Sequence, residues 1–187
     1  LLKAIRKDTG IITIMMVNNE IGTVQPISEL ASIASEHNIP FHSDTVQALG
    51  KIPLLVNELN CDFLSFSAHK FYGPKGVGFL YKKKFKEIKS LTIGGSQESG
   101  YRAGTENMSG IAGFVEAMEL FIKNPIFSRP YIEPLTNRLA SLSEIDGVNL
   151  VSPSNKRLAN TLSFTISETD SMTLLAALDM EGICASS

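Results

Sequence analysis

Apolar residues recur along this chain in two rhythms, and each rhythm predicts a kind of element. The run Ile11-Ile12-Thr13-Ile14-Met15-Met16-Val17 is short, β-rich and apolar at consecutive positions, the pattern of a parallel strand covered on both faces. Asn18-Asn19-Glu20-Ile21-Gly22 leaves it as a polar loop. Ser28 is placed to cap a helix running to about Glu36, with Leu30, Ile33 and Ala34 on one face. Residues 39–44 read as the next strand, 54–59 as a short helix and 63–66 as a third strand. This order implies right-handed crossovers and a mostly parallel α/β sheet with helices on both faces. Ligands of such sheets gather beyond the carboxyl ends of the strands.

The rhythm changes after Lys70. The turn Gly73-Pro74-Lys75-Gly76 is too tight for a parallel crossover, so residues 77–81 are expected to run antiparallel. A glycine-rich charged loop spans 94–107, and the spacing of Ile111, Val115, Met118, Phe121 and Ile122 predicts an amphipathic helix over 108–123. Asn124-Pro125 breaks it. A helix over 131–142, strands over 148–151 and 160–166, and a helix over 171–180 then read as an α+β unit. Residues 1–125 are therefore expected to be part of a large α/β domain and 126–187 part of a smaller α+β domain. The opening residues 1–7 read as a helical segment entering a buried-type strand, and 182–187 as the close of another strand, so both ends look cut.

Bulk properties narrow the partners. A net charge of -2 and a pI near 5.9 give no reason to expect nucleic acid or an anionic membrane. The local exception, Lys82-Lys83-Lys84-Phe85-Lys86, follows a strand-like run and reads as a solvated turn. No apolar stretch approaches the roughly 20 residues of a membrane span. Cys61 and Cys184 are sparse and far apart, which suits a reducing, cytoplasmic setting and argues against a disulfide framework. Cys61 reads as structural. Cys184, among Gly182, Ile183 and Ala185, reads as part of a buried strand and not as a reactive thiol. His37 and His42 have no cluster around them and read as structural, and no metal site is expected.

Candidate chemistry gathers at two strand ends. The run Asp62-Phe63-Leu64-Ser65-Phe66-Ser67-Ala68-His69-Lys70 brings an amine to a fixed point at a sheet edge, directly before the glycine turn. The strand Phe41-His42-Ser43-Asp44 ends in a carboxylate, with the amide of Gln47 three residues on. An amine, an acid and a hydroxyl/imidazole pair on neighbouring strand ends are what pyridoxal phosphate requires: a lysine for its aldehyde, a carboxylate for its pyridine nitrogen and donors for its phosphate. Taken singly, Lys70 reads as a surface lysine, Asp44-x-x-Gln47 as a helix cap, and Ser67 with His69 as a turn satisfying its own backbone. Their joint occurrence favours the cofactor.

The segments Val17-Asn18-Asn19-Glu20-Ile21-Gly22, Asp44-x-x-Gln47, Ser65-Phe66-Ser67-Ala68-His69-Lys70-x-Tyr72-Gly73-Pro74-Lys75-Gly76 and Arg102-Ala103-Gly104-Thr105-Glu106-Asn107 closely resemble the cysteine desulfurases of the NifS/IscS type. Those are pyridoxal-phosphate enzymes of fold type I, grouped with the class V aminotransferases. The resemblance implies that Lys70 carries the cofactor, Asp44 pairs with its pyridinium nitrogen, and Gln47 bonds its phenolate oxygen. Asn19 would lie near that oxygen or the substrate carboxylate. Ser67 and His69 would hold the phosphate, and Thr105 would reach the phosphate of a partner subunit's cofactor, which implies a homodimer.

The implied reaction takes sulfur from L-cysteine, releases L-alanine and passes a persulfide to an acceptor protein for iron–sulfur clusters or tRNA thiolation. Selenocysteine lyase, another class V enzyme, or a truncated docking module are the alternatives. The sequence departs from the family pattern at Ser96, where a third glycine is usual, and near Ser99, where a basic residue is usual. The resemblance also implies that a ring-stacking His and a phosphate-binding Thr precede Leu1, and that the sulfur-accepting Cys and the carboxylate-gripping Arg follow Ser187. The chain alone is accordingly expected to be inactive.

Overall fold

The computed structural model describes residues 1–125 and 129–187. Its main sheet has four strands in the order β1 (Ile12–Thr13), β2 (Phe41–Asp44), β3 (Phe63–Ser67) and β4 (Gly78–Lys82). β1, β2 and β3 run parallel, and β4 returns antiparallel to β3 with Ser67 opposite Gly78. The mostly parallel α/β sheet and its antiparallel fourth strand are as the sequence predicts. Helices α1 (Ile27–Glu36) and α2 (Val56–Leu59) make the crossovers, and α3 (Met108–Phe121) follows the glycine-rich loop. Then come α4 (Arg129–Ala140), a two-stranded antiparallel sheet of β5 (Val148–Leu150) and β6 (Phe164–Ile166), and α5 (Ser171–Met180).

Strand alternation sorts the main sheet into two faces. Register places Ile12 beside Phe41 and Ser43 beside Leu64, so Ile12, Phe41, Leu64 and Phe66 point one way. They form one core with Ile27, Ala31 and Ala34 of α1 and with Phe114 and Ala117 of α3. Phe79 of β4, itself exposed, lies against the edge of that core, stacking on Phe66 at 4.3 Å and tilting against Phe114 at 5.2 Å. Thr13 pairs with His42 and Asp44 with Ser65, so Thr13, His42, Asp44, Ser65 and Ser67 line the opposite face.

Several elements differ from expectation. Residues 1–7 form only a single 3-10 turn, Leu2–Ala4, because Ile5 is extended and no residue of the turn is buried. β1 is shorter than the apolar run, yet Ile12, Ile14 and Met16 donate in turn to Pro40, His42 and Asp44 carbonyls, continuing the parallel pattern past Thr13. Ser28 does not cap α1. The helix starts two residues earlier than that cap would set, with Pro26 at the N-cap position, and the Ser28 hydroxyl donates to Glu58 O at 2.9 Å, tying α1 to α2. α2 is confined to four residues and ends at Asn60, whose left-handed φ of 55° stops it. Residues 182–187 form no strand and are exposed, Cys184 among them.

The boundary expected between 125 and 126 abuts residues 126–128, which lie outside the described residues. Past it, the segment 156–161 packs back on the loop after β1: Val24 N–H donates to Lys156 O at 2.7 Å and Leu158 N–H to Gly22 O at 2.9 Å. Leu158 is 2% exposed and joins the main core. Arg157 is buried there, donating to Leu158 O and Thr161 O. No helix among the described residues is long and apolar enough to cross a membrane.

Candidate active site

The site is built where β2 and β3 end. The turn after β3 is a 3-10 helix, Ala68–Phe71, in which positions three apart eclipse. Ala68 and Phe71 are each 0% exposed and act as buried anchors, and the residues between them, His69 and Lys70, are thrust outward. Ala68 N–H donates to Val77 O at 3.2 Å, and Gly73 N–H donates to Ala68 O at 3.0 Å, closing the loop. Tyr72, with φ of 63°, reverses the chain. Glycine is favoured at position 73, since a Cβ there would stand 2.6 Å from Ala68 Cβ and force a shift. Lys70 is therefore an exposed amine on a rigid mount.

At the end of β2, Asp44 accepts a hydrogen bond from Val46 N–H at 2.9 Å, which opens the following turn. Gln47 lies in that turn, and its Oε1 accepts from Lys51 Nζ at 2.6 Å. Ser67 Oγ is 2.7 Å from His69 Nδ1. In the loop after β1, Asn18 Oδ1 accepts from both Glu20 N–H and Ile21 N–H at 2.9 Å, so its side chain serves the turn. Asn19 beside it is exposed. Thr105 stands apart on an exposed stretch just before α3, with no hydrogen bond to the strand ends among the described residues.

Asp44, Ser65 and Ser67 share a face by register and alternation, and Lys70 lies three residues beyond Ser67 in the turn that leaves β3. The donor set is a nucleophilic amine, a carboxylate, an amide and a hydroxyl/imidazole pair, which fits the aldehyde, ring nitrogen, phenolate and phosphate of pyridoxal phosphate group by group. Among the described residues no cluster of His, Cys, Asp or Glu could hold a metal ion.

The aminotransferase class-V family matches residues 1–187. This chain belongs to that family. The cysteine desulfurase IscS of Dictyoglomus turgidum is 48% identical over 188 residues, covering 98% of this chain and 47% of its own length. The chain thus spans about half the length of the curated relatives it matches. A solved NifS-like protein superposes with a TM-score of 0.92 at 39% identity, covering 99% of this chain and 51% of that one. A structure described as SspA in complex with cysteine superposes at 0.76 with 36% identity, covering 96% and 49%.

Two residues near the site of this class-V chain had no part in the site expected from sequence: His42, which reads there as an isolated structural residue, and Lys51. His42 bridges three strands, with Nδ1 2.7 Å from Thr13 Oγ1 and Nε2 2.8 Å from Ser65 Oγ. Burial pushes its pKa down, and the Asp44 carboxylate pulls partly the other way. Its two-residue offset from Asp44 is the signal that places both on one face. Lys51 is the second, and its four-residue offset from Gln47 was the available sign. The cysteines divide: Cys61 is buried and its thiol pushed up to about 11, first by burial and then by Asp62, with Lys83 opposing. The basic cluster is tied locally, Lys86 to Asp62 at 3.0 Å, Lys83 to Asn60 Oδ1 and Lys82 to Lys86 O.

Proposed function

We propose that this protein is a pyridoxal-phosphate-dependent cysteine desulfurase, which converts L-cysteine to L-alanine and passes the sulfur as an enzyme persulfide to an acceptor protein for iron–sulfur cluster assembly or tRNA thiolation. The observation that carries this reading is the rigid presentation of Lys70 beside the Asp44 and Ser67 strand ends. Relatives named cysteine desulfurase and a neighbour solved in complex with cysteine support the substrate.

Pyridoxal phosphate, when bound, supplies an electron sink for the bond-breaking at the substrate's α-carbon. Lys70 would hold the cofactor covalently and, once substrate displaces it, would move a proton at that carbon. The Asp44 carboxylate would hold a proton on the pyridine nitrogen, since an adjacent negative charge favours the charged ring. Gln47 would donate an amide N–H to the phenolate oxygen, and Asn19 would lie near that oxygen or the substrate carboxylate. Ser67 and His69 would donate to the phosphate. Thr105, exposed on its loop, would reach the cofactor phosphate of a second copy in a cytoplasmic homodimer. We also place the boundary between large and small domains at residues 125–126.

The test uses the protein at its full natural length with pyridoxal phosphate and L-cysteine. Sulfide and alanine should appear in equal amounts, and borohydride reduction followed by peptide mapping should place the pyridoxyl mass on Lys70. A Lys75→Ala variant should keep the visible absorbance that Lys70→Ala loses. Pyridoxyl mass on another lysine, or alanine without sulfide, would sink the assignment.

A further inference from the structure

Gln47 has a side chain whose two ends look alike in shape but differ in chemistry, one accepting and the other donating. The assigned role needs only the donating end. Lys51 decides which end is presented, because an ammonium has three donors and no acceptor. Turning the amide nitrogen toward Lys51 would set donor against donor, so the carbonyl oxygen must face Lys51, as it does at 2.6 Å. The NH2 group then points away from it.

The pairing is built into the turn. Ala48 and Leu49 N–H donate to Thr45 O, and Lys51 and Ile52 N–H donate to Ala48 O, which winds residues 45–52 so that positions 47 and 51 meet. Both side chains are half-buried, so the bond is partly shielded from water. Lys51 also reaches the neighbourhood of the reactive amine: its pKa is held below the ordinary lysine range by burial and then by the like charge of Lys70.

We propose that Lys51 is a positioning residue, whose ammonium locks the Gln47 amide with its N–H donors turned away from Lys51 and toward the cofactor oxygen assigned to Gln47. This rests on the reading of Gln47 given above. A hydrogen bond to a charged donor biases the two amide orientations by about ten- to a hundredfold, whereas an unheld amide would alternate and leave the oxygen without its donor for part of the time.

The experiment compares Lys51→Met, Lys51→Arg, Gln47→Ala and the Gln47→Ala/Lys51→Met double variant in the full-length protein loaded with pyridoxal phosphate. It reads the pH at which the bound cofactor's visible absorbance titrates and the rate at which the cofactor dissociates on dilution. Methionine keeps the apolar stem and removes the charge. Its titration should move up by about 1 pH unit, because an N–H donor and a nearby cation both oppose protonation of the chromophore. Dissociation should quicken severalfold. Arginine, which also only donates, should restore both readouts. In the Gln47→Ala background the Lys51→Met shift should shrink to less than half. Should Lys51→Met fail to fold, Lys51→Gln carries the same test with an intermediate shift expected.

A Lys51→Met or Lys51→Gln protein that titrates and dissociates like wild type would overturn the proposal. So would an equal shift with and without Gln47, which would reduce Lys51 to a point charge. If Gln47→Ala alone changes neither readout, the role given to Gln47 fails first. If Gln47→Ala shifts them and Lys51→Met does not, only the role of Lys51 fails.

Discussion

Ser67 Oγ and His69 Nδ1 lie 2.7 Å apart at the carboxyl end of β3, one residue before Lys70. The bond sets the orientation of the imidazole through its Nδ1 and leaves Nε2 pointing elsewhere. The groups proposed to meet a phosphate are therefore arranged by the protein itself, on the same short turn that carries the amine.

Asp44→Asn separates charge from structure. The asparagine carbonyl can still accept from Val46 N–H, so the turn after β2 should survive. The negative charge is lost, and, on the function proposed, turnover of the full-length protein should fall by about 10²–10³, the usual scale for removing an electrostatic partner of the transition state. Cofactor retention should be near normal. Steady-state sulfide release and the cofactor content per chain check both halves, and turnover near wild type would remove Asp44 from its assigned role.

Stability should depend on His42 in a definite direction. Its pKa is lowered in the fold, chiefly by burial, so the unfolded chain binds the proton more readily than the folded one. The contribution is complete above the unfolded value of about 6.5 and is lost as pH falls from there through the folded value. Urea unfolding between pH 7.5 and 5 should show a loss of stability that is smaller in His42→Gln. An identical pH slope in both proteins would show that another group titrates.

The two thiols should react very differently. Cys61 is 3% exposed and its thiol is pushed up to about 11, which cuts its thiolate fraction about a hundredfold relative to an ordinary cysteine at the same pH. Cys184 is exposed. A disulfide reagent at pH 8 should label Cys184 promptly and Cys61 only after denaturation, as peptide mapping of native and unfolded samples would show.

Gly73→Ala tests the mount of Lys70. The added methyl carbon would stand 2.6 Å from Ala68 Cβ and 2.9 Å from Ala68 O, and Ala68 is fully buried with nowhere to retreat. Overpacking of this kind costs about 1–3 kcal/mol, read as a lower denaturation midpoint. Gly76→Ala meets no atom within 4 Å, although its φ of 80° still strains an alanine, so its loss should be the smaller of the two.

The sheet order was legible because continuous apolar runs mark its parallel strands and the turn through Gly73 and Gly76 forces the fourth strand back. The places of Asp44 and Ser67 at strand ends, and of Lys70 in the turn just beyond, were legible for the same reason, since the pattern fixes where those strands stop. Of the two neighbouring asparagines, Asn18 has its side-chain oxygen occupied by two backbone donors, which leaves Asn19 as the freer candidate. Ser28 misled because Pro26 starts the helix early, a backbone effect that outranks a hydroxyl cap. Residues 182–187 misled because apolar composition alone does not supply a strand partner. The bridge through His42 was hidden for a different reason: its partners Thr13 and Ser65 lie 29 and 23 positions away in sequence, and only the register of two strand pairings brings them together.

Alternation along β2 and β3 gives this fold a built-in safeguard. Phe41, Leu64 and Phe66 face the core from the same backbone that turns Asp44, Ser65 and Ser67 the other way, so a slip of one residue would drive a carboxylate inward and a phenylalanine outward at once. A misregistered chain could not persist as a well-folded protein with those side chains misplaced. It would be an unstable protein, open to proteolysis, and any molecule stable enough to survive already has its acid and hydroxyls on the correct side of the sheet.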